Sequence, residues 1–135
     1  MTQSVTLNTD GGARGNPGPA GAGVIIQDGE KRYELKKFLG KQTNNWAEYE
    51  ALILALQEAK KLDLSGRAIE VRMDSELIVK QMSGEYRVKD VRLKEKNAVV
   101  RELMTGFGSV CFVHIPREKN KEADRLVNEA IDAGL

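Results

Sequence analysis

The feature that most constrains this chain is a change of hydrophobic period near Asn45. Ahead of that point the apolar residues fall in short strand-like runs, and beyond it helical and strand-like stretches alternate. Residues 4–9 (SVTLNT) put Val5 and Leu7 on one face, as a half-buried strand does. AGVIIQD (22–28) and KRYELKKFL (31–39) predict two further strands. Asp28-Gly29 between them fits a hairpin, because Asp-Gly readily takes positive φ. The intervening GGARGNPGPAG (11–21), dense in glycine and proline, is expected to be a turn.

From Asn45 to about Lys61 the pattern is helical, with Ala51, Leu52, Ala55, Leu56 and Ala59 on one stripe. AIEVRMD (68–74) predicts a fourth strand with Ile69, Val71 and Met73 inward, and SELIVKQM (75–82) a short helix. A longer helix follows from Val91 to Met104, then a strand, SVCFVHI (109–115). The last helix, from Lys121 to Ala133, is expected to bury Ala123, Leu126, Val127, Ala130 and Ile131. The order β-β-β-α-β-α-α-β-α defines an α/β class. Strands joined by tight turns pair antiparallel and strands joined through helices lie parallel. The expectation is a five-stranded mixed sheet with helices on both faces.

At 135 residues the chain suits one compact domain, 1–135. Its net charge of +1 is not the footprint of a protein that holds nucleic acid by charge alone. Any nucleic-acid chemistry must therefore be local. No apolar run approaches the roughly eighteen residues that span a bilayer, and MTQSVTLNTD is unlike a secretory signal. The single cysteine, Cys111, excludes an internal disulfide and is expected to be a buried small hydrophobe. The default expectation is a cytoplasmic protein without a membrane partner.

Four carboxylates stand at predicted element junctions. Asp10 closes the first strand, Glu48 opens the first long helix, Asp74 closes the fourth strand, and Asp124 lies in the first turn of the last helix. In a layered α/β sheet such junctions converge at one edge. Each acid singly has a plain structural explanation: a capping box at Asn45-x-x-Glu48, a cap at Asp74, a helix-dipole partner at Asp124, a turn former at Asp10. Together they point to a shared cation, because carboxylates brought close repel one another unless neutralised. Mg²⁺, a hard ion with oxygen ligands, suits such a set, and the near-absence of His and Cys argues against zinc. Two such ions make a phosphodiester-cleaving device.

The runs TDGGARGNPGPAGAG, TNNWAEYEALILAL, MDSELIVKQ and REKNKEADRLVNEA, in this order, resemble the four blocks of type 1 ribonuclease H over nearly the whole chain. The resemblance implies a ribonuclease H-like fold and hydrolysis of the RNA strand of RNA–DNA hybrids, leaving 5′-phosphate and 3′-hydroxyl ends. It implies two Mg²⁺ ions, with Mn²⁺ as a substitute, held by Asp10, Glu48, Asp74 and Asp124 as catalytic acids. It further implies that Asn16 and Asn45 contact the hybrid near its minor groove. The backbone of Gly11, Gly12 and Ala13 would approach the RNA strand, where the 2′-hydroxyl can be read without reading sequence.

The chain departs from the family pattern in three places. His114 falls inside a predicted strand, as a packed or edge residue, so Arg117 stands nearest the role of a mobile-loop histidine. Arginine cannot act as a base at neutral pH and would steady a phosphate. The segment after Asp74 lacks a Trp-bearing basic protrusion, since Trp46 is the only tryptophan; it keeps Arg87, Lys89, Arg92, Lys94 and Lys96. Glu76 replaces a substrate-contacting amide with a negative charge. No separate N-terminal hybrid-binding domain is expected, nor an obligatory protein partner, and the expected state is a monomer. The alternatives are another nuclease or recombinase of the same architecture, a non-catalytic hybrid-binding domain, or a domain tethered to a polymerase or phosphatase. A sequence ending at Leu135 does not favour the last.

Overall fold

The computed structural model describes residues 4–135. Its elements are β1 (Val5–Ala13), β2 (Gly18–Asp28), β3 (Lys31–Gln42), α1 (Asn44–Lys61), β4 (Ala68–Met73), α2 (Glu76–Met82), α3 (Val91–Met104), β5 (Ser109–His114) and α4 (Lys121–Gly134). One element was not expected, a 3₁₀ turn at Arg117–Lys119 in the connection to α4. The sheet order is β3-β2-β1-β4-β5. The first three strands form an antiparallel meander, and β4 and β5 add in parallel beside β1. The expected mixed sheet is therefore present.

The two faces of the sheet are covered differently. On one face Val5, Leu7, Val24, Ile26, Ile69, Val71 and Met73 meet Tyr49, Leu52 and Leu56 of α1 and Val100 of α3. Burying Leu52 or Leu56 completely contributes roughly 1.5–3 kcal/mol each relative to exposure. On the other face α4 packs over β1, β2 and β3, burying all five residues of its predicted apolar stripe. The β4–β5 half of that face is bare. Cys111, predicted to be buried, is for this reason exposed, as is Val113. Both sit on edge strand β5 on the side that α4 does not reach.

The glycine-rich run also corrects the sequence reading. Residues 11–21 are mostly strand: β1 continues to Ala13 and β2 begins at Gly18, so only Arg14–Pro17 turns. Arg14 N donates to Pro19 O at 2.9 Å to close the turn. Asp10 thus lies within β1, opposite Gly23, rather than at its end. The glycines serve close packing on both faces of the sheet. A Cβ on Gly11 would stand 2.2 Å from the Ala47 carbonyl oxygen of α1, and one on Gly23 would stand 2.3 Å from the Ala123 carbonyl oxygen of α4. Turn propensity and close helix approach call for the same residue type, and here the second governs. Likewise β3 runs to Gln42, three residues beyond the predicted end at Leu39.

Candidate active site

Local structure delivers each acid to one edge of the sheet. The N-cap of α1 is Thr43, whose Oγ1 accepts from Trp46 N at 3.3 Å, so the Asn45–Glu48 capping box does not form. Glu48 is free to turn toward β1, where its Oε1 accepts from Gly11 N at 2.5 Å. Ser75 caps α2 by accepting from Ile78 N at 3.3 Å, which releases Asp74 from that duty. Asp74 follows the last residue of β4, and Asp124 lies in the first turn of α4.

Asp10, Glu48 and Asp74 each offer an oxygen within 4.8 Å of the others. Asp124 stands outside that close set, exposed at the rim of the same cleft, yet near enough to Asp10 to act on it by charge and by a hydrogen bond. The cleft holds about 380 Å³, with Asn44, Asn45, Ser75 and Arg117 also on its walls. Asp10 and Glu48 are only 8% and 5% exposed. Burial, then the charges of Asp74 and Asp124, pushes the Asp10 carboxyl up to about 7, against an opposing hydrogen bond from Glu48. Burial and the Asp10 charge hold Glu48 well above the ordinary carboxylate range, with the Gly11 amide opposing. Asp74 is raised chiefly by burial, opposed by the Asn120 amide and the Arg117 charge.

Such a cluster is poorly matched to itself: three carboxyls share one recess, while the cations nearest it stand on the cleft wall, Arg117 beside Asp74 and Arg14 already paired with Asp132. The donors are all carboxylate oxygens, the set that hard divalent cations take. The residues present therefore fit a divalent cation, with Asp10, Glu48 and Asp74 as the inner donors and Asp124 in reach.

Of the predicted substrate-facing residues, Gly11, Gly12, Ala13, Asn45 and Arg117 line this cleft, and Asn16 lines a second groove that shares Asn45 with it. Asn16 is exposed in the β1–β2 turn, and its Oδ1 accepts from Asn44 N at 3.0 Å. Asn44, which the sequence reading passed over, accepts from Ala13 N through Oδ1 at 2.8 Å. It belongs to the same TNN run as Asn45, so the signal was adjacent. The turn, the end of β1 and the start of α1 are thereby locked together. Arg14, also missed, lies on the cleft wall and is pinned to α4 through Asp132 at 2.7 Å. Asn45 borders a second groove of about 250 Å³ shared with Asn16, Thr43, Trp46 and Arg92. Glu76 pairs with Lys80 at 2.9 Å, so its charge is neutralised along α2 and its carboxyl is held low. His114 ends edge strand β5 and is exposed, as an edge residue, within electrostatic reach of Asp74 and Glu76.

This mixed five-stranded sheet, with its acids gathered from β1, β4 and the starts of α1 and α4, defines an α/β domain of ribonuclease H-like architecture built around a carboxylate cation site. A reverse transcriptase-like family model matches residues 8–130. Ribonuclease HI of Halobacterium salinarum is 44% identical over 125 residues, covering 91% of this chain and 62% of that protein. The bifunctional protein Rv2228c of Mycobacterium tuberculosis is 42% identical over 132 residues, covering 96% of this chain and 36% of that protein. The chain thus spans less than two thirds of the length of these two curated relatives. LC11-RNase H1, solved in complex with an RNA/DNA hybrid, superposes with a TM-score of 0.92 at 51% identity, covering 97% of this chain and 99% of that one. The chain belongs to the type 1 ribonuclease H family. Among the described residues no helix is long and apolar enough to cross a membrane.

Proposed function

We propose that this protein is an endonuclease that hydrolyses the RNA strand of RNA–DNA hybrids, leaving 5′-phosphate and 3′-hydroxyl ends. The observation that carries the reading is the placement of Asp10, Glu48 and Asp74 within 4.8 Å of one another on the wall of an open cleft lined by neutral amides. Two Mg²⁺ ions, replaceable by Mn²⁺, would be held by these three acids and Asp124. When bound, such ions supply Lewis-acid stabilisation of phosphoryl oxygens and a water of lowered pKa.

The chain's own groups do the rest. Gly12 and Ala13 line the cleft without bulky side chains, so a ribose can approach the β1 backbone closely. Asn16, Asn44 and Asn45 supply neutral donors and acceptors, suited to a 2′-hydroxyl, which is both. Asn16 and Asn44 are already braced by their mutual contact with the start of α1. Arg117 holds a fixed positive charge at the rim, beside Asp74, where it steadies a phosphate and takes no proton. Glu76, paired with Lys80, contacts the substrate only at the edge of the site and with its charge offset. The working form is a monomer in the cytoplasm.

Cleavage of a labelled hybrid, with single- and double-stranded RNA and DNA as controls and with EDTA added or withheld, tests the reading. The expected result is cutting of the hybrid that EDTA abolishes. Full activity in EDTA, or equal cutting of duplex DNA, would sink it.

A further inference from the structure

We propose that Asn120 is a positioning residue for the acidic cluster, holding the Asp74 carboxylate in register with β1 and with the first turn of α4. The proposal rests on the divalent-cation reading of the site. Asparagine is among the best residues at a helix N-cap, where its side-chain oxygen ordinarily takes a free N–H of the first turn. Asn120 occupies that position in α4 and makes no such bond. Its side chain turns inward instead, leaving the residue 1% exposed.

What it does there is specific. Nδ2 donates to the carbonyl of Thr9 at 2.9 Å and to Oδ2 of Asp74 at 3.4 Å, while Oδ1 accepts from Asn8 Nδ2 at 3.2 Å. A carbonyl can only accept, so the amide nitrogen must be the atom facing Thr9 and Asp74. The main chain adds two further ties. Asn120 N donates to Arg117 O at 2.9 Å, and Asn120 O accepts from Asp124 N at 3.1 Å. One residue therefore joins the neighbour of Asp10, the carboxylate of Asp74 and the backbone of Asp124.

The sheet explains why an amide is needed at this place. Thr9 and Met73 are the last partners in the β1–β4 ladder; β4 then stops while β1 continues to Ala13. The Thr9 carbonyl stands where the neighbouring strand has left, and a buried carbonyl without a donor is costly. Asn120 fills that gap and with the same nitrogen reaches Asp74. A partner that orients a ligating carboxylate tunes cation affinity as well as geometry, and losing one typically costs about 10–100-fold in metal affinity or activity.

The test is Mn²⁺ binding to the substrate-free full chain by titration calorimetry, with hybrid cleavage as a second readout. Asn120→Asp keeps the shape and the bond from Asn8 but cannot donate to Thr9 or Asp74. Asn120→Ala removes the donors without adding charge, and decides the matter should the aspartate variant not fold. We expect Mn²⁺ affinity to fall by about 10–100-fold, kcat of Asn120→Ala to recover as Mn²⁺ is raised, and hybrid KM to stay unchanged. Asn8→Ala, which removes only the bond to Oδ1, should lower the unfolding midpoint and leave Mn²⁺ affinity intact, as a merely structural role predicts. Wild-type Mn²⁺ affinity in a folded Asn120 variant would overturn the assignment to Asn120. No Mn²⁺ binding by the wild type would overturn the cation reading beneath it.

Discussion

The amide of Gly11 lies 2.5 Å from a carboxylate oxygen of Glu48, and it does so because residue 11 has no side chain. A methyl group there would collide with the Ala47 carbonyl at 2.2 Å, which is backbone and cannot swing aside. One missing atom both seats α1 on β1 and gives a buried carboxylate its donor. Gly11→Ala must push the start of α1 outward, and the expected cost is at least about 1–3 kcal/mol in urea denaturation. Divalent-cation affinity should fall with it. A variant with wild-type stability and wild-type cleavage would show that the contact is incidental.

Gly23 plays the corresponding part on the opposite face. It pairs with Asp10 across the β1–β2 ladder and presses against the Ala123 carbonyl, one residue before Asp124. Gly23→Ala should displace the start of α4 and with it Asp124, leaving the Asp10–Glu48–Asp74 set in place. The expected outcome is a stability loss of the same order, about 1–3 kcal/mol, with turnover reduced more than metal-free substrate binding. Equal losses in both would mean that the whole edge of the sheet had moved.

The raised carboxyl of Asp10 makes a signed prediction about pH. In the unfolded chain this group titrates near 3.8, and in the folded protein at about 7, so between those values the native state binds the extra proton. A raised folded-state pKa contributes stability fully below the unfolded value and loses it as pH rises through the folded one. Without divalent cations the protein should therefore lose stability from about pH 4 to pH 7, by roughly 2–4 kcal/mol from this group. Asp10→Asn should flatten that slope and raise the unfolding midpoint at pH 8, while turnover falls by several orders of magnitude. Mg²⁺ should stabilise the wild type more at pH 8 than at pH 5. A midpoint at pH 8 lower in Asp10→Asn than in the wild type would contradict the repulsion.

Much of this was legible in the sequence, for identifiable reasons. Val5, Leu7, Ile69, Val71 and Met73 alternate strictly because their strands bury one side, and the α4 stripe repeats because that helix lies on a flat sheet. The acids were legible as junction residues, although Asp10 proved to be inside a strand. Residues 11–21 misled because glycine signals turns and close packing alike, and only the helix backbone beside them, Ala47 at Gly11 and Val127 at Gly21, distinguishes the two. Cys111 misled because an alternating edge strand does not say which of its faces a helix covers. Asn120 stayed hidden because a polar residue before a helix reads as a cap, and its true partners, Thr9 and Asp74, are distant in sequence.

The last prediction concerns how a chain of net charge +1 holds a polyanion. Trp46 carries Lys96 Nζ 4.5 Å from its ring centroid and Arg92 Cζ at 5.7 Å, and of the two cations Arg92 lines the second groove. Lys96 is also tied to Glu50, so its charge is largely spent within the protein. The Arg92 guanidinium donates to a neutral group, Gln42 Oε1, at 3.0 Å, and lines the groove with Asn16, Asn45 and Asp90, whose carboxylate caps the helix by accepting from Arg92 N. Arg87 and Lys89 are exposed in the preceding loop. Each phosphate neutralised adds nearly one unit to the slope of log affinity against log salt, and so few cations should give a slope of roughly 2–4. Arg92→Ala should lower that slope by about one unit and weaken binding of hybrid measured in EDTA. Adding Arg87→Ala and Lys89→Ala should flatten it further if the loop follows the DNA strand. Turnover at saturating hybrid should barely change, because Arg92 lines the second groove and not the acidic cleft. Should Arg92→Ala bind hybrid with wild-type affinity and slope, the groove beside Trp46 is a packing feature, and the hybrid is held by Asn16, Asn45 and the Gly11–Ala13 backbone alone.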